Sequence, residues 1–502
     1  MTNMRALLIG TVIFAVTTAL GAVAIAMWVT GRIGYVLEPR VPGRDRPAGQ
    51  TGQDVPPKLV YEFAAGTARS APQLAGNWQY FRGKYRDGIS DADVPLARSW
   101  PPGGPRVLWA REVGEGHAGP AVLNGRVYLH DYDVPRRRDV IRCMSLADGN
   151  DIWTQSYRVV VKRNHGMSRA TPAVTDRFLV AMGPKCHTTC LDSNTGKLLW
   201  SIDMVREYGT VVPAWYSAQC PLIEEGKAIL APGGRPWRIA DPESDDPNEM
   251  RQLYAPDPNG INPAGKAVLM MAVDCATGKV LWRVPNDDGW MMTHSSIARM
   301  EMEDRTPVYV YCGSGGVVGV SVETGKVLWK TEDWKIRIAN VPTPLPVAKG
   351  KVFLSGGYAA GCAMLQIAKE GEAYVPKVLW RLPDVTFGSE QQTPVFYKEH
   401  IFGVRPDGQF ICLGTDGTVT WSSGPQRKFG ECGGPYLVAD DLLLAFDDAG
   451  LLRLLKATPE SYQQLAEAKV LGHHSYGPMA VAGSRLLCRD LTHLVCLDVG
   501  RK

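Results

Sequence analysis

The chain has 502 residues, and its 55 Lys and Arg against 51 Asp and Glu give a formal net charge of only +4. Hydrophobic residues make up 45% and charged residues 21%, which is ordinary globular usage and excludes disorder of the whole chain. A near-neutral charge without a basic stripe also excludes the electrostatic footprint of a nucleic-acid-binding protein. Gly and Pro, at 53 and 36 residues, are above average usage and predict many turns between short strands.

The chain begins with an uncharged apolar run from Ala6 to Gly31. The run exceeds the roughly 20 residues that a helix needs to span the hydrocarbon core, and Trp28 falls where an indole favours the interface. We therefore predict a transmembrane anchor over residues 1–31. The alternative is a cleavable signal peptide with a small-residue cleavage site between residues 22 and 26, although the apolar cores of such peptides are usually shorter.

Residues 32–76 are rich in Gly, Pro and charge and lack periodicity, so we predict a linker there. Arg5 precedes the apolar run, and four Arg residues follow it between positions 32 and 46. By the positive-inside rule this distribution favours a cytoplasmic C-terminal part. The charge bias alone does not determine the orientation.

One phrase recurs through the rest of the chain: LDSNTGKLLW ends at Trp200, VDCATGKVLW at Trp282 and VETGKVLW at Trp329. Each copy predicts a hairpin, with a tight Thr-Gly turn between an apolar strand and a strand that carries the Trp. A second strand pair lies upstream of each phrase, so the repeating unit consists of four antiparallel strands. A repeated unit of this kind is typical of the blades of a β-propeller. Weaker copies of the phrase end at Trp109, Trp153, Trp380 and Trp421.

We predict an all-β, eight-bladed propeller of four-stranded blades over residues 77–502. The innermost strands are predicted to begin near Gly119, Thr171, Cys220, Ser295, Thr343, Thr393, Gly434 and Gly477. The last blade ends without a fourth strand of its own, and residues 105–113 can supply it and so close the ring. The blade Trp residues are predicted to be buried between blades, and an insertion is predicted around residues 235–263.

The LDxxTGKxLW phrase resembles the PQQ-like (pyrroloquinoline-quinone-like) propeller repeat over about residues 77–499, and NWQYFRGKYRDGIS at 77–90 is similar to the opening of bacterial PQQ-binding-like propellers. This superfamily includes quinoprotein alcohol dehydrogenases and BamB-like propellers of outer-membrane barrel assembly. The resemblance implies a non-catalytic, membrane-anchored binding or scaffold module of the bacterial cell envelope. It also implies envelope proteins as partners and a periplasmic or otherwise extracytoplasmic propeller.

The alternative is a PQQ-dependent quinoprotein oxidoreductase or another enzyme that acts at the mouth of the central channel. For such a dehydrogenase the resemblance implies two adjacent cysteines, a Ca²⁺ site and a catalytic Asp. No two of the 11 cysteines are adjacent, and no Ca²⁺ ligand set or catalytic Asp can be assigned. We therefore expect no PQQ, no metal and no catalytic residue.

We interpret the repeated cysteines as structural residues. Cys143, Cys190, Cys412 and Cys496 occupy the same third-strand position in four blades, which predicts small buried residues. Cys186 is the only cysteine close to another in sequence, four residues before Cys190, and a disulfide or metal there stays open.

The loops that lead into the innermost strands are expected to meet at one mouth of the channel, where a ligand or partner would bind. These loops are rich in His, Glu, Gln and aromatic residues. The alternative is that the polar side chains only satisfy the buried loop backbone. The predicted site consists of His117, His165, Trp215, Tyr216, Gln219, His294, Glu390, Gln391, Glu431 and His474.

Overall fold

The structure, a computed structural model, describes residues 2–29, 59–68, 72–91, 93–234, 237–239, 254–256, 267–336, 338–431 and 433–501. The chain divides into two compact units, residues 1–58 and residues 59–502.

The first unit contains helix α1 (Thr2–Val29). Across the described ranges, no helix combines the length and the apolar character needed to cross a membrane, so the predicted transmembrane anchor is not supported. Residues 32–58 and 69–71 of the predicted linker lie outside the described residues.

The second unit is a ring of eight four-stranded antiparallel sheets, which confirms the predicted all-β, eight-bladed propeller. Its first strands in chain order are β1 (Tyr61–Ala65), β2 (Arg106–Glu112), β3 (Ala121–Leu123), β4 (Arg126–Asp133), β5 (Arg138–Ser145) and β6 (Asp151–Arg158). Blade 1 is β3–β6, and β1 pairs with β6 as an additional fifth strand. This additional strand lies in the stretch that the sequence assigned to the linker.

Blades 2 to 4 follow with a short helix and a hairpin between their strands. Blade 2 contains β7 (Ala173–Val174), β8 (Phe178–Met182), β9 (His187–Asp192) and β10 (Leu198–Asp203), followed by α2 (Met204–Tyr208). Blade 3 contains β11 (Leu222–Glu224), β12 (Lys227–Leu230), β15 (Val268–Asp274) and β16 (Val280–Pro285). Within its predicted insertion, the described residues form the antiparallel pair β13 (Trp237–Ile239) and β14 (Tyr254–Pro256). Blade 4 contains β17 (Ala298–Glu301), β18 (Pro307–Gly313), β19 (Gly316–Ser321) and β20 (Val327–Thr331).

Blades 5 to 8 complete the ring. Blade 5 contains β21 (Leu345–Ala348), β22 (Lys351–Gly356), β23 (Gly361–Glu370) and β24 (Ala373–Leu382). Blade 6 contains β25 (Val395–Tyr397), β26 (His400–Val404), β27 (Phe410–Gly414) and β28 (Val419–Ser422). Blade 7 contains β29 (Tyr436–Ala439), β30 (Leu442–Phe446), β31 (Leu451–Lys456) and β32 (Gln464–Lys469). Blade 8 contains β33 (Ala480–Ala482), β34 (Arg485–Arg489) and β35 (His493–Asp498), with β2 as its fourth strand.

The two ends of the propeller close the ring as predicted. Strand β2 pairs antiparallel with β35, from Arg106 opposite Asp498 to Glu112 opposite His493. The hydrogen-bonding edge of β35 is thereby covered by the start of the same domain.

The repeated Trp joins each blade to the next. The indole N–H of Trp109 donates to the carbonyl of Leu146 in blade 1 at 2.9 Å, and that of Trp200 donates to the carbonyl of Cys275 in blade 3 at 2.9 Å. A Cβ built on Gly149 would stand 2.7 Å from the ring of Trp109, so the turn glycine, with φ of 73°, leaves the space that the indole fills. The blade Trp residues are therefore buried between blades, although Trp282 and Trp380 are only half-buried.

The four cysteines at the repeated third-strand position each stand opposite a blade Trp: Cys143 opposite Trp153, Cys190 opposite Trp200, Cys412 opposite Trp421 and Cys496 opposite Trp109. All four are buried and carry free thiols, in agreement with the structural interpretation. Cys186 and Cys190 are not bonded to each other.

The segment Asn77–Leu96, which we name the plug segment, crosses the central channel. It bridges Trp78 to Val122 in blade 1 and Ile89 to Val438 in blade 7, and its Arg86 donates to the carbonyl of Ile223 in blade 3. Because these blades lie on different sides of the ring, the plug segment spans the opening.

Arg82 anchors the plug segment to blade 6. Its guanidinium donates to the carbonyls of Thr393 at 2.6 Å and Pro394 at 2.8 Å, and to those of Arg86 and Asp87 in the plug segment itself. Burial lowers the pKa of Arg82 to about 10, and its guanidinium donates to backbone carbonyls of the plug segment and of blade 6.

Candidate functional site

A cavity of about 450 Å³ lies at the mouth of the channel, and we name it the mouth cavity. Loops from seven of the eight blades line it. Seven of the ten predicted residues are among them: His117, His165, Trp215, His294, Glu390, Gln391 and His474. The structure therefore brings these seven residues together at one opening.

Three predicted residues do not line the mouth cavity. Gln219 is fully buried and exchanges two hydrogen bonds with the backbone of Ala231, so it fixes its own loop. Tyr216 is also buried, and its hydroxyl donates to the carbonyl of Lys162 at 2.6 Å. Glu431 is exposed in a neighbouring groove, because its backbone N–H donates to Asp448 and thereby holds its loop away from the mouth cavity.

The structure adds lining residues that the prediction omitted. Phe81 of the plug segment forms part of the lining, and Tyr358 reaches in from the loop between β22 and β23. The sequence prediction covers only the loops that lead into innermost strands, whereas Tyr358 lies in a loop between the second and third strands of its blade. Arg169 and Tyr476 lie in loops that lead into innermost strands and also line the cavity.

The plug segment separates the mouth cavity from a second cavity of about 560 Å³, which we name the lower cavity. The lower cavity is lined by the plug segment and by innermost strands of blades 3 to 6. Phe81, Cys220 and Ser296 line both cavities, so Phe81 lies at the boundary between them.

Two histidines of the mouth cavity are held neutral. Burial, together with the positive charges of Arg169 and Arg489, lowers the pKa of His117 to about 3. Burial and the charge of Arg169 lower the pKa of His294 to about 3 as well. At neutral pH these rings are therefore uncharged hydrogen-bonding groups rather than cations.

Arg169 is the cation that these histidines share as a neighbour. Its Nε donates to the carbonyl of Gly166 at 3.0 Å, and its Nη2 donates to those of His165 at 3.0 Å and Asn164 at 3.3 Å. Burial lowers the pKa of Arg169 to about 10, and within the described part of the chain no carboxylate forms an ion pair with it. Its own loop thus fixes a guanidinium whose charge no described carboxylate compensates.

Glu390 is the carboxylate of the mouth cavity. Its stem packs against Gly357, where an added Cβ would lie 2.4 Å from the Cγ of Glu390. Burial raises the pKa of Glu390, and among the described residues none donates a hydrogen bond to its carboxylate or forms an ion pair with it. This half-buried acid therefore also has no compensating partner among the residues that the structure describes.

Left-handed backbone conformations occur at several mouth residues. His165, Trp215 and His474 have φ of 49°, 63° and 66°, and Tyr358 has φ of 57°. Residues other than Gly rarely adopt this backbone conformation, which persists only where the surrounding structure holds it. Such residues are enriched at functional sites. The backbone therefore fixes the direction in which these side chains project.

A second group of polar residues resembles a catalytic assembly but is structural. Asp139 accepts hydrogen bonds from Ser168 at 2.6 Å and Tyr157 at 2.7 Å, and it contacts His130 Nε2 at 2.7 Å. Burial opposes the charged forms, yet this ion pair raises the pKa of His130 and lowers that of Asp139. All four side chains are at most 1% exposed, so no substrate reaches them.

In the described ranges, no group of three or more His, Cys, Asp or Glu is arranged to hold a metal ion.

The family described as outer membrane protein assembly factor BamB matches residues 102–211 and 137–423. Among solved structures, BamB from Moraxella catarrhalis is similar at 12% identity and a TM-score of 0.50, over 78% of this chain and 99% of that one. The computationally designed Ika8 protein is similar at 11% identity and a TM-score of 0.50, over 78% of this chain and 100% of that one.

A quinohemoprotein alcohol dehydrogenase from Pseudomonas putida HK5 is similar at 12% identity and a TM-score of 0.46, over 85% of this chain and 81% of that one. No curated protein sequence matches the chain. At these identities the structural likenesses concern the fold.

Proposed function

Because this chain belongs to the family described as outer membrane protein assembly factor BamB, we propose that it is a non-catalytic binding module of the bacterial cell envelope. The proposed activity is to hold a protein partner at the mouth cavity. The propeller would act on the extracytoplasmic side, in the periplasm, where an assembly factor of the outer membrane works.

The mouth cavity carries this proposal. It is a recess built by seven blades and bounded by Phe81, and its two charged groups, Arg169 and Glu390, have no compensating partner among the described residues. Uncompensated charge in a partly buried recess costs free energy, so a partner that supplies the opposite charges would be favoured there. His117 and His294 add neutral hydrogen-bonding groups.

The site offers little for catalysis. In the described part of the chain, the hydroxyl, imidazole and carboxylate assembly around Asp139 is buried away from the mouth. The features that the resemblance implies for a quinoprotein dehydrogenase are also not met by the residues present, since no cysteines are adjacent and the described residues offer no group of metal-binding side chains. We therefore assign no role to PQQ or Ca²⁺.

Site-specific photo-crosslinking tests the proposal. A photoreactive residue replaces Tyr358, which is 41% exposed in the mouth cavity, or Tyr85, which is 62% exposed in the lower cavity and serves as the matched control. In intact envelopes, we expect adducts of one defined mass from position 358 and none from position 85. Adducts from position 85 alone, or equal adducts from both positions, would contradict docking at the mouth.

A second measurement tests the non-catalytic part of the proposal. The purified protein is incubated with PQQ and Ca²⁺, and dye-linked alcohol oxidation is followed by absorbance. We expect no turnover above that of the denatured protein. Sustained turnover would contradict the proposed binding module and would show that the protein is an oxidoreductase.

A further inference from the structure

The two uncompensated charges of the mouth cavity lie on opposite sides of the ring. Arg169 precedes the innermost strand of blade 2, and Glu390 precedes that of blade 6. In a closed ring of eight blades these two positions are four blades apart, which places them across the channel from each other. Within the described residues, no ion pair joins them to each other or to another side chain.

Aromatic side chains line the mouth cavity between these two charges. Phe81, Trp215 and Tyr476 line the same cavity, and the imidazoles of His117 and His294 are neutral. The ring of Trp215 packs against that of His294 at 6.4 Å, and the ring of Tyr476 packs edge-on against that of His117 at 5.6 Å. Such walls favour an apolar or aromatic group between the two charges.

The size of the mouth cavity limits what can enter it. Its volume of about 450 Å³ lies within the range of roughly 300–1,000 Å³ of small-ligand pockets. Three backbone carbonyls hold Arg169 through its Nε and Nη2 atoms. Its Nη1 atom takes no part in these three hydrogen bonds. A fixed guanidinium is well suited to a carboxylate, and a carboxylate such as Glu390 is well suited to an ammonium group.

We infer that the mouth cavity binds the C-terminal end of a peptide chain that carries both charges. The free carboxylate lies on Arg169, a Lys ammonium within the last few residues lies on Glu390, and an apolar or aromatic side chain lies between them. This inference rests on the proposed function, since it names the part of the partner that enters the mouth cavity.

The binding of three capped tripeptides tests the inference. The first probe is N-acetylated Lys-Phe-Ala with a free carboxylate, the second is its C-terminal amide, and the third carries Gln in place of Lys. We expect calorimetry to show saturable binding of the first probe. The amide and the Gln peptide should each bind at least about tenfold more weakly, because each loses one charge-assisted contact.

Charge-removing variants assign each contact to its residue. Arg169→Gln should abolish the discrimination between the carboxylate and the amide, and Glu390→Gln should abolish that between Lys and Gln. The matched controls are Arg177→Gln and Glu399→Gln, which change exposed residues on the same two blades outside the mouth cavity. They should leave the affinities unchanged, and thermal unfolding should show that all four variants are folded.

Three outcomes would overturn the inference: no saturable binding of the first probe up to millimolar concentration, equal affinity for all three probes, or discrimination that persists in Arg169→Gln and Glu390→Gln. If the probes fail while position 358 still crosslinks a partner, only the identity of the bound chain end is wrong. If the first probe binds with the expected discrimination but no protein crosslinks, the proposed protein partner is wrong.

Discussion

At the scale of single residues, the mouth cavity shows how burial determines charge. His117 and His294 are ordinary histidines in sequence, yet their pKa values fall to about 3 because they are buried beside the guanidinium of Arg169. An unperturbed histidine has a pKa of about 6.5. The neutral state of these rings is therefore a consequence of their position.

Stability should fall as the pH decreases below about 6.5. In that range the unfolded chain takes up a proton at each of these histidines while the folded chain does not, so protons favour unfolding down to about pH 3. Each histidine lowers the free energy of unfolding by up to about 1.4 kcal/mol per pH unit. Urea unfolding at about pH 7, 6 and 5 measures this dependence.

The double variant His117→Gln, His294→Gln isolates their contribution. Its free energy of unfolding should depend less steeply on pH than that of the unchanged protein, and the two curves should converge near neutral pH. The exposed His473 offers a control variant, His473→Gln. A pH dependence that stays the same in the double variant would show that these histidines are protonated in the folded protein.

At the scale of elements, the repeated fourth strand performs the same function in seven blades. Its Trp stands opposite a small or apolar residue of the third strand, and the register shifts just before that Trp, as between Val107 and Trp109. In blade 7, Ala466 stands opposite Leu454 at the equivalent place. The hairpin turn of the following blade offers a carbonyl to the indole N–H of four of these residues, Trp109, Trp200, Trp380 and Trp421. In these blades one phrase therefore encodes both a blade and its contact with a neighbour.

Replacement of Trp109 by Ala should destabilise the protein by roughly 3–5 kcal/mol, the range for a large aromatic removed from a core. The change leaves a gap beside Gly149 and the carbonyl of Leu146 without its donor. Trp215→Ala is the control, because this half-buried Trp lines the mouth cavity. Denaturant unfolding compares the two, and an equal loss of stability would refute the inter-blade role.

At the scale of the whole molecule, two segments from before blade 1 hold the ring together. Strand β2 completes blade 8, and the plug segment reaches blades 1, 3, 6 and 7 across the channel. Most of these contacts join residues hundreds of positions apart, such as Arg82 and Pro394. The stability of the propeller therefore depends on its first residues as well as on its repeats.

Deletion of residues 105–113 should cause misfolding or aggregation, because it removes the strand that covers the edge of β35. Size-exclusion chromatography and thermal unfolding measure the outcome. A chain that lacks residues 1–65 is the control, since it loses the additional strand β1 but keeps four strands in blade 1. A deletion variant that stays monomeric and equally stable would show that closure by β2 is dispensable.

The sequence alone determined the repeat architecture. Eight blades and their closure were predicted from the spacing of the Trp residues, the Thr-Gly turns and the orphan strand before blade 1. This was possible because strand alternation and turn chemistry are local properties that can be read from neighbouring residues. The same locality allowed the buried role of Cys143 and its equivalents to be predicted.

The tertiary structure alone decided which loop residues face the mouth cavity and what divides the channel. Arg169 and Tyr358 line the cavity while Glu431 and Gln219 do not, because a loop side chain takes its direction from hydrogen bonds with distant backbone rather than from a period. The path of the plug segment was likewise not predictable. It depends on carbonyls of Thr393 and Pro394 that become neighbours of Arg82 only when the ring closes.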